Sequence, residues 1–230
     1  MLSAARSGDE GAHSLRSVFS GELREIRGGV DRVAALVGEA LDRMLTVLST
    51  ADALVAGIAL EADDEIDASV VALTERCYDL LRRQAPVASD LRFVVSALRV
   101  LEELERMADL ALRVVKLSPE LHPGSRVHAT LEGMAASARS LYSAAARAWT
   151  RQDLELACSL GVKDRAMDSH YAELLSQLLA LEGPGATALA VPAVLVGRAL
   201  DRIADHSVIV GERVSYVLTA DSSHLASELR

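Results

Sequence analysis

Aromatic side chains are scarce in this 230-residue sequence, although hydrophobic residues make up half of it. Phe, Trp and Tyr together account for 3% of the chain. A β-sandwich would need more aromatic and β-branched residues, so a composition dominated by Ala, Leu and Val favours helices. The 14 glycines and 5 prolines are also too few for a loop-rich β-protein. These shortages predict an all-α fold.

Cysteine and long apolar runs are rare as well. The two cysteines cannot build a disulfide framework, and no CxxC pair is present to form a zinc site from thiolates. Residues 1–14 lack the apolar segment of a secretory signal. The longest uncharged run, residues 183–197, is shorter than the about 20 apolar residues that span a bilayer. We therefore expect a cytoplasmic protein without direct membrane insertion.

Basic residues are outnumbered by acidic ones, 24 against 33, which leaves a net charge of −9. Proteins that bind nucleic acid neutralise phosphates with an excess of Lys and Arg, and this sequence has no such excess. The same balance disfavours docking on an anionic membrane surface. The charge therefore argues against nucleic acid and lipid as partners.

Helix-breaking residues divide the sequence into six segments of helical length. Each segment carries apolar residues spaced three and four apart, which is the pattern of helices in a bundle. The breaks lie at residues 49–50, 84–86, 118–124, 152–153 and 183–185. The sequence thus predicts six helices.

Motifs in the first three helices recur in the same order in the last three. The hexapeptide LERMAD at residues 104–109 corresponds to LDRIAD at residues 200–205. Recurrence of this kind indicates a duplicated structural unit. We predict two three-helix repeats, residues 15–118 and residues 125–220, preceded by a flexible tail at residues 1–14.

Acidic residues interrupt the apolar stripes of four helices. Asp63 lies on the stripe of the second helix and Glu105 on that of the third, and Asp164 and Asp201 take these places in the second repeat. Each is followed four residues later by another acid, and these are Asp67, Asp109, Asp168 and Asp205. Two residues that are four positions apart lie on the same face of a helix, so their carboxylates are neighbours and repel each other.

Carboxylates in a helical interior need protonation, a cationic partner or a metal ion. Asp63 and Asp67 have no basic residue between positions 44 and 75, so pairing within their helix cannot serve them. A divalent or trivalent cation held by acids from two helices would neutralise a whole group. Oxygen ligands suit hard ions such as Mg, Mn, Ca or Fe. The eight acids are therefore candidate metal ligands.

Other interpretations of these acids stay open. They could lie on solvated faces of a purely structural bundle, and His206 could be a further ligand or simply a packed residue. A carboxylate-bridged di-iron oxidase of the ferritin type would use two Glu-x-x-His motifs, and the sequence has one, at residues 10–13. Walker A, GxSxG and HExxH motifs are absent, so no common enzyme class is indicated.

Three segments resemble the PhoU family of phosphate-signalling regulators. They are RQAPVASDLR at residues 83–92, LERMAD at 104–109 and LDRIADH at 200–206. The resemblance implies an all-α protein of two three-helix repeats, usually a homodimer, with metal clusters bound through E/DxxxD motifs. The ion would be Fe, Mn, Mg or Zn.

The resemblance also implies a role without catalysis. Such a protein is a cytoplasmic negative regulator of phosphate uptake and of the phosphate-starvation response. It contacts the ATPase subunit of the phosphate ABC transporter and a sensor histidine kinase.

Overall fold

Six α-helices account for most of the chain in the computed structural model. The structure describes residues 3–229, and side chains for residues 18–225. The helices are α1 (Ser3–Thr50), α2 (Ala53–Gln84), α3 (Ala88–Leu117), α4 (Arg126–Arg151), α5 (Leu154–Leu179) and α6 (Ala186–Thr219). Residues 3–229 contain no β-strand, which confirms the predicted all-α fold. The predicted tail at residues 1–14 precedes the described side chains and stays a prediction.

Polar side chains fix the starts of three helices. Asp52 accepts hydrogen bonds from the amides of Leu54 and Val55 at the start of α2, and Asp153 accepts one from Leu156 at the start of α5. Ser125 serves α4 in the same way. These oxygens satisfy amides that have no partner inside the helix. The corresponding positions of Asp52 and Asp153 show that both repeats begin their second helix with the same device.

The helices form two three-helix bundles that pack against each other. Helices α1, α2 and α3 contact one another, and so do α4, α5 and α6. The two bundles meet chiefly where α3 packs along α6, with a smaller contact between α1 and α4. Helices α3 and α6 therefore have neighbours on several sides, whereas α2 and α5 lie at the outside. This arrangement confirms the predicted pair of three-helix bundles.

Two glycines allow helices to approach closely. A Cβ added to Gly29 of α1 would lie 2.3 Å from Cδ2 of Leu73 in α2. A Cβ on Gly211 of α6 would lie 2.4 Å from Cδ1 of Leu160 in α5 and 3.1 Å from the carbonyl oxygen of Ala157. The glycines therefore leave room for leucines of the outer helices. Within the described residues, no helix is long and apolar enough to cross a membrane.

Candidate functional site

Asp63 and Asp67 of α2 and Glu105 and Asp109 of α3 form the first acidic cluster. Burial raises the pKa of Asp63, and the negative charges of Asp67 and Asp109 raise it further. Burial also raises the pKa of Glu105, followed by the charges of Asp109 and Asp67. The packing of α2 on α3 thus brings these acids close enough to repel one another.

Asp164 and Asp168 of α5 and Asp201 and Asp205 of α6 form the second acidic cluster. Burial raises the pKa of Asp164 to about 6, helped by the charges of Asp205, Asp168 and Asp201. Burial likewise raises the pKa of Asp205, and Asp201 adds to that effect. The second repeat therefore reproduces the electrostatics of the first.

The acids lie at the edge of the helix contacts and not in the interior that the apolar periodicity had suggested. The first acid of each pair is half-buried, and the second is more accessible to solvent although still partly covered at Asp205. In α2, for example, Ala59 and Ile66 are buried while Asp63 between them is only partly covered. Because α2 and α5 contact only the helices of their own repeat, their buried stripe is narrow. The expectation of interior carboxylates was therefore wrong in degree.

Basic side chains neutralise these clusters only in part. Arg198 lies 2.6 Å from Asp201 in the second cluster, and its charge opposes the effect of burial on the pKa of Asp201. Lys116 acts on Asp63 in the same sense, without an ion pair. Among the described side chains, no basic group lies within 4.0 Å of a first-cluster carboxylate. The first cluster keeps most of its negative charge unpaired.

The chemistry of both clusters suits a hard cation, but their geometry is not that of a closed metal site. Among the described side chains, no three Asp, Glu, His or Cys residues converge tightly enough to hold a metal ion. Carboxylate oxygens on neighbouring helices are nonetheless the donors that Mg²⁺, Mn²⁺ and iron prefer. Binding would require the aspartates to rotate toward a shared ion. The Glu-x-x-His motif at residues 10–13, which a ferritin-like site would use, lies outside the described side chains.

A buried pair that the sequence analysis missed joins the two bundles. Glu103 of α3 is fully buried, and its Oε2 lies 2.5 Å from Nδ1 of His206 in α6. Arg99 and Arg106 each place a guanidinium nitrogen 3.8 Å from the other oxygen, Oε1. Arg99 lies four residues before Glu103 and Arg106 three residues after it. This spacing of basic residues was the one sequence feature that could have indicated a buried Glu103. His206 is therefore a packed residue that contacts a carboxylate.

Known proteins resemble this chain over most of its length. The sequence matches the PhoU domain over residues 30–118 and 131–214. A phosphate-specific transport system accessory protein, PhoU homolog 1 of Mycobacterium leprae, is 32% identical over 209 residues, which cover 89% of this chain and 94% of that protein.

Solved structures agree with the sequence comparison. The crystal structure of PhoU from Pseudomonas aeruginosa has a TM-score of 0.84 and 27% identity, and the match covers 88% of this chain and all of that one. The phosphate transport system regulatory protein PhoU from Streptococcus pneumoniae has a TM-score of 0.80 and 26% identity, with 88% and 98% covered. On the evidence of its domain match, its relatives and its fold, this chain belongs to the PhoU family.

Proposed function

We propose that this protein is a regulatory accessory of a phosphate transport system and acts by binding rather than by catalysis. The observation that carries the proposal is the similarity to a phosphate transport accessory protein along nearly the whole chain. The twin acidic clusters support it, since they offer oxygen ligands for cations. The protein is expected in the cytoplasm, as a homodimer.

Each acidic cluster binds metal ions in this proposal. Asp63, Asp67, Glu105 and Asp109 serve one site, and Asp164, Asp168, Asp201 and Asp205 serve the other. Burial, and after it mutual repulsion, raises the pKa of Asp63 and Asp164, which supports the proposal because a cation would stabilise the charged carboxylates. The ion is Fe, Mn, Mg or Zn, and oxygen donors favour the harder members of this set.

The partners in this proposal are the ATPase subunit of the phosphate ABC transporter and a sensor histidine kinase. By contacting both, the protein would restrain phosphate uptake and the starvation response when phosphate is plentiful. Support comes from the family to which the chain belongs and from its relatives, which are an accessory protein and a regulatory protein of phosphate transport.

A co-purification experiment tests the adaptor role. The full chain, tagged and expressed in its own host, should retain the transporter ATPase and the kinase, and the amount retained should change with external phosphate. Deleting the gene should raise phosphate uptake in rich medium. Retention of neither protein at any phosphate concentration would contradict the adaptor role. The solution mass by light scattering should correspond to two chains.

Elemental analysis tests the metal sites. Asp63→Ala with Asp67→Ala should remove about half of the bound metal, because the second cluster remains intact. A matched control is Glu61→Ala with Glu65→Ala, which removes two exposed acids at the same spacing from the same helix. Full metal content in the first double variant would refute the assignment. A protein that takes up no metal at all would instead favour a purely structural role for the acids.

A further inference from the structure

A cleft with basic walls lies between α3 and α6, beside the contact that joins the two bundles. Its volume is about 400 Å³, within the roughly 300–1,000 Å³ of small-molecule sites. Its lining includes Arg106, Asp109, Arg113, Lys116, Arg202 and His206. We refer to it as the basic cleft.

Positive charge dominates the walls of the basic cleft. Four of its lining residues are Arg or Lys, and one, Asp109, is acidic. Arg106 is held by Glu102 at 2.6 Å. Arg113, Lys116 and Arg202 are exposed, and the charges of Lys116 and Arg202 act on Asp63 and Asp205 without an ion pair among the described residues. In a chain with a net charge of −9, four basic residues against one acid around a single cavity are a local excess of positive charge.

His206 adds an unpaired polar atom to this cleft. Its ring is buried, its Nδ1 is held by Glu103, and its Nε2 has no hydrogen-bond partner among the described residues. Buried polar atoms are normally paired, so an unpaired one in a residue that lines a cavity is a candidate for pairing with a bound molecule. Because Glu103 fixes the ring, Nε2 is held in place before any ligand arrives.

We infer that the basic cleft binds a small molecule bearing linked phosphoryl groups, such as an oligophosphate or a nucleotide. Guanidinium groups match phosphate oxygens with paired hydrogen bonds, and an ammonium group adds a compact charge. The cleft has room for more than one phosphoryl group. Asp109 repels phosphoryl groups as it does any anion, but four basic residues line the same cleft and outnumber it.

This inference goes beyond the proposed adaptor function and does not need the metal sites. An anion could also reach the protein through a bound metal ion, so the test uses full-length protein stripped of metal. Isothermal titration calorimetry with tripolyphosphate at low salt should show saturable binding that weakens as NaCl is added. Orthophosphate should bind more weakly than tripolyphosphate, because it carries a single phosphoryl group.

The decisive variant is Arg113→Gln with Lys116→Gln, which removes two exposed cations from the cleft. Tripolyphosphate binding should weaken by roughly 10-fold or more, with the circular dichroism melting curve unchanged. The control is Arg126→Gln with Arg151→Gln, which lowers the net charge equally at the two ends of α4. The control should bind as the unaltered protein does.

Two further ligands identify the source of the phosphoryl groups. ATP binding tighter than tripolyphosphate would assign the cleft to a nucleotide, and the reverse order would assign it to an oligophosphate. Equal binding of a hexaglutamate peptide would overturn the inference in favour of an acidic protein partner. Absence of tripolyphosphate binding at low salt, or an equal loss in the α4 control, would also overturn it.

Discussion

The burial and pairing of Glu103 depend on the packing of the two bundles against each other. Its carboxyl group is fully buried between the bundles and receives one short contact, from His206. The guanidinium groups of Arg99 and Arg106 remain at 3.8 Å. Removing one partner of a buried polar pair leaves the other without compensation, whereas replacing both with apolar groups avoids that penalty.

Truncation of this pair gives the first prediction. His206→Leu should lower the free energy of unfolding by about 3–5 kcal/mol, because it leaves a buried carboxyl group unpaired. Glu103→Leu combined with His206→Leu should recover much of that loss. Urea denaturation gives the free energy of unfolding of the unaltered protein, the single variant and the double variant. His122→Leu, at an exposed site, is the control and should change stability by less than about 0.5 kcal/mol. A double variant as unstable as the single one would contradict the pairing.

The acidic clusters should make the stability of the metal-free protein depend on pH. The pKa of Asp164 rises from 3.8 to about 6 in the folded protein, so the folded state holds its proton more tightly than the unfolded state. Stability of the metal-free protein should therefore fall as pH rises through this window. Asp164→Asn should flatten that decline and stabilise the metal-free protein by about 1 kcal/mol at about pH 8, a value discounted for solvent screening.

Thermal unfolding of metal-stripped protein at several pH values measures this effect. Glu75→Gln is the control, because Glu75 is exposed on α2 and belongs to neither acidic cluster. The control should keep the pH profile of the unaltered protein. A profile for Asp164→Asn that matches that of the unaltered protein would contradict the raised pKa, and with it the effects of burial and repulsion at Asp164.

At the scale of helices, glycine determines how closely α5 and α6 pack. Gly211→Ala should destabilise the protein by about 1–3 kcal/mol, since the new methyl group meets Leu160 and the carbonyl of Ala157. Gly161→Ala on α5 is the matched control, because no atom lies within 4 Å of its added Cβ. The control should stabilise by roughly 0.5–1 kcal/mol through helix propensity. Equal effects in chemical denaturation would contradict the close approach.

The start of α5 gives a fourth prediction. Asp153 Oδ1 accepts a hydrogen bond of 2.9 Å from the amide of Leu156, and its carboxylate also lies at the positive end of the helix. Asp153→Ala should lower the free energy of unfolding by about 1 kcal/mol. Asp153→Asn should lower it much less, because the amide oxygen can still accept the hydrogen bond from Leu156. Urea denaturation distinguishes them, and equal losses in both variants would show that the cap contributes nothing through its hydrogen bond.

At the scale of the whole molecule, α3 and α6 hold the two bundles together. Besides the buried Glu103 pair, the aromatic ring of Phe93 in α3 packs on Trp149 of α4, with 6.0 Å between ring centroids. The contact therefore crosses between repeats. Trp149 is the one tryptophan of the sequence, so its fluorescence reports on the junction of the bundles.

Cooperative unfolding is the prediction at this scale. Because the junction is buried and extensive, loss of Trp149 fluorescence should coincide with loss of helical circular dichroism in urea. Phe93→Leu should move both curves together to lower urea. A fluorescence change well before the loss of helix would show that the bundles separate first.

Much of this protein could be predicted from short-range features of its sequence. Breaker residues marked the helix ends, because capping and turn formation depend on neighbouring residues. The recurrence of LERMAD as LDRIAD indicated two repeats, and i,i+4 spacing put the paired acids on shared helix faces. That acids from two helices would share an ion stays a prediction, and the contacts of α2 with α3 and of α5 with α6 come from the structure.

Tertiary packing alone decided the depth of burial and the contacts between repeats. Periodicity states which face of a helix is apolar but not how many neighbours cover it, so it placed Asp63 and Asp164 too deep. Because α3 lies along α6, Glu103 contacts His206, and the basic residues of α3 line the same cleft as Arg202. These residues are about a hundred positions apart, and no local pattern encodes a contact over that separation.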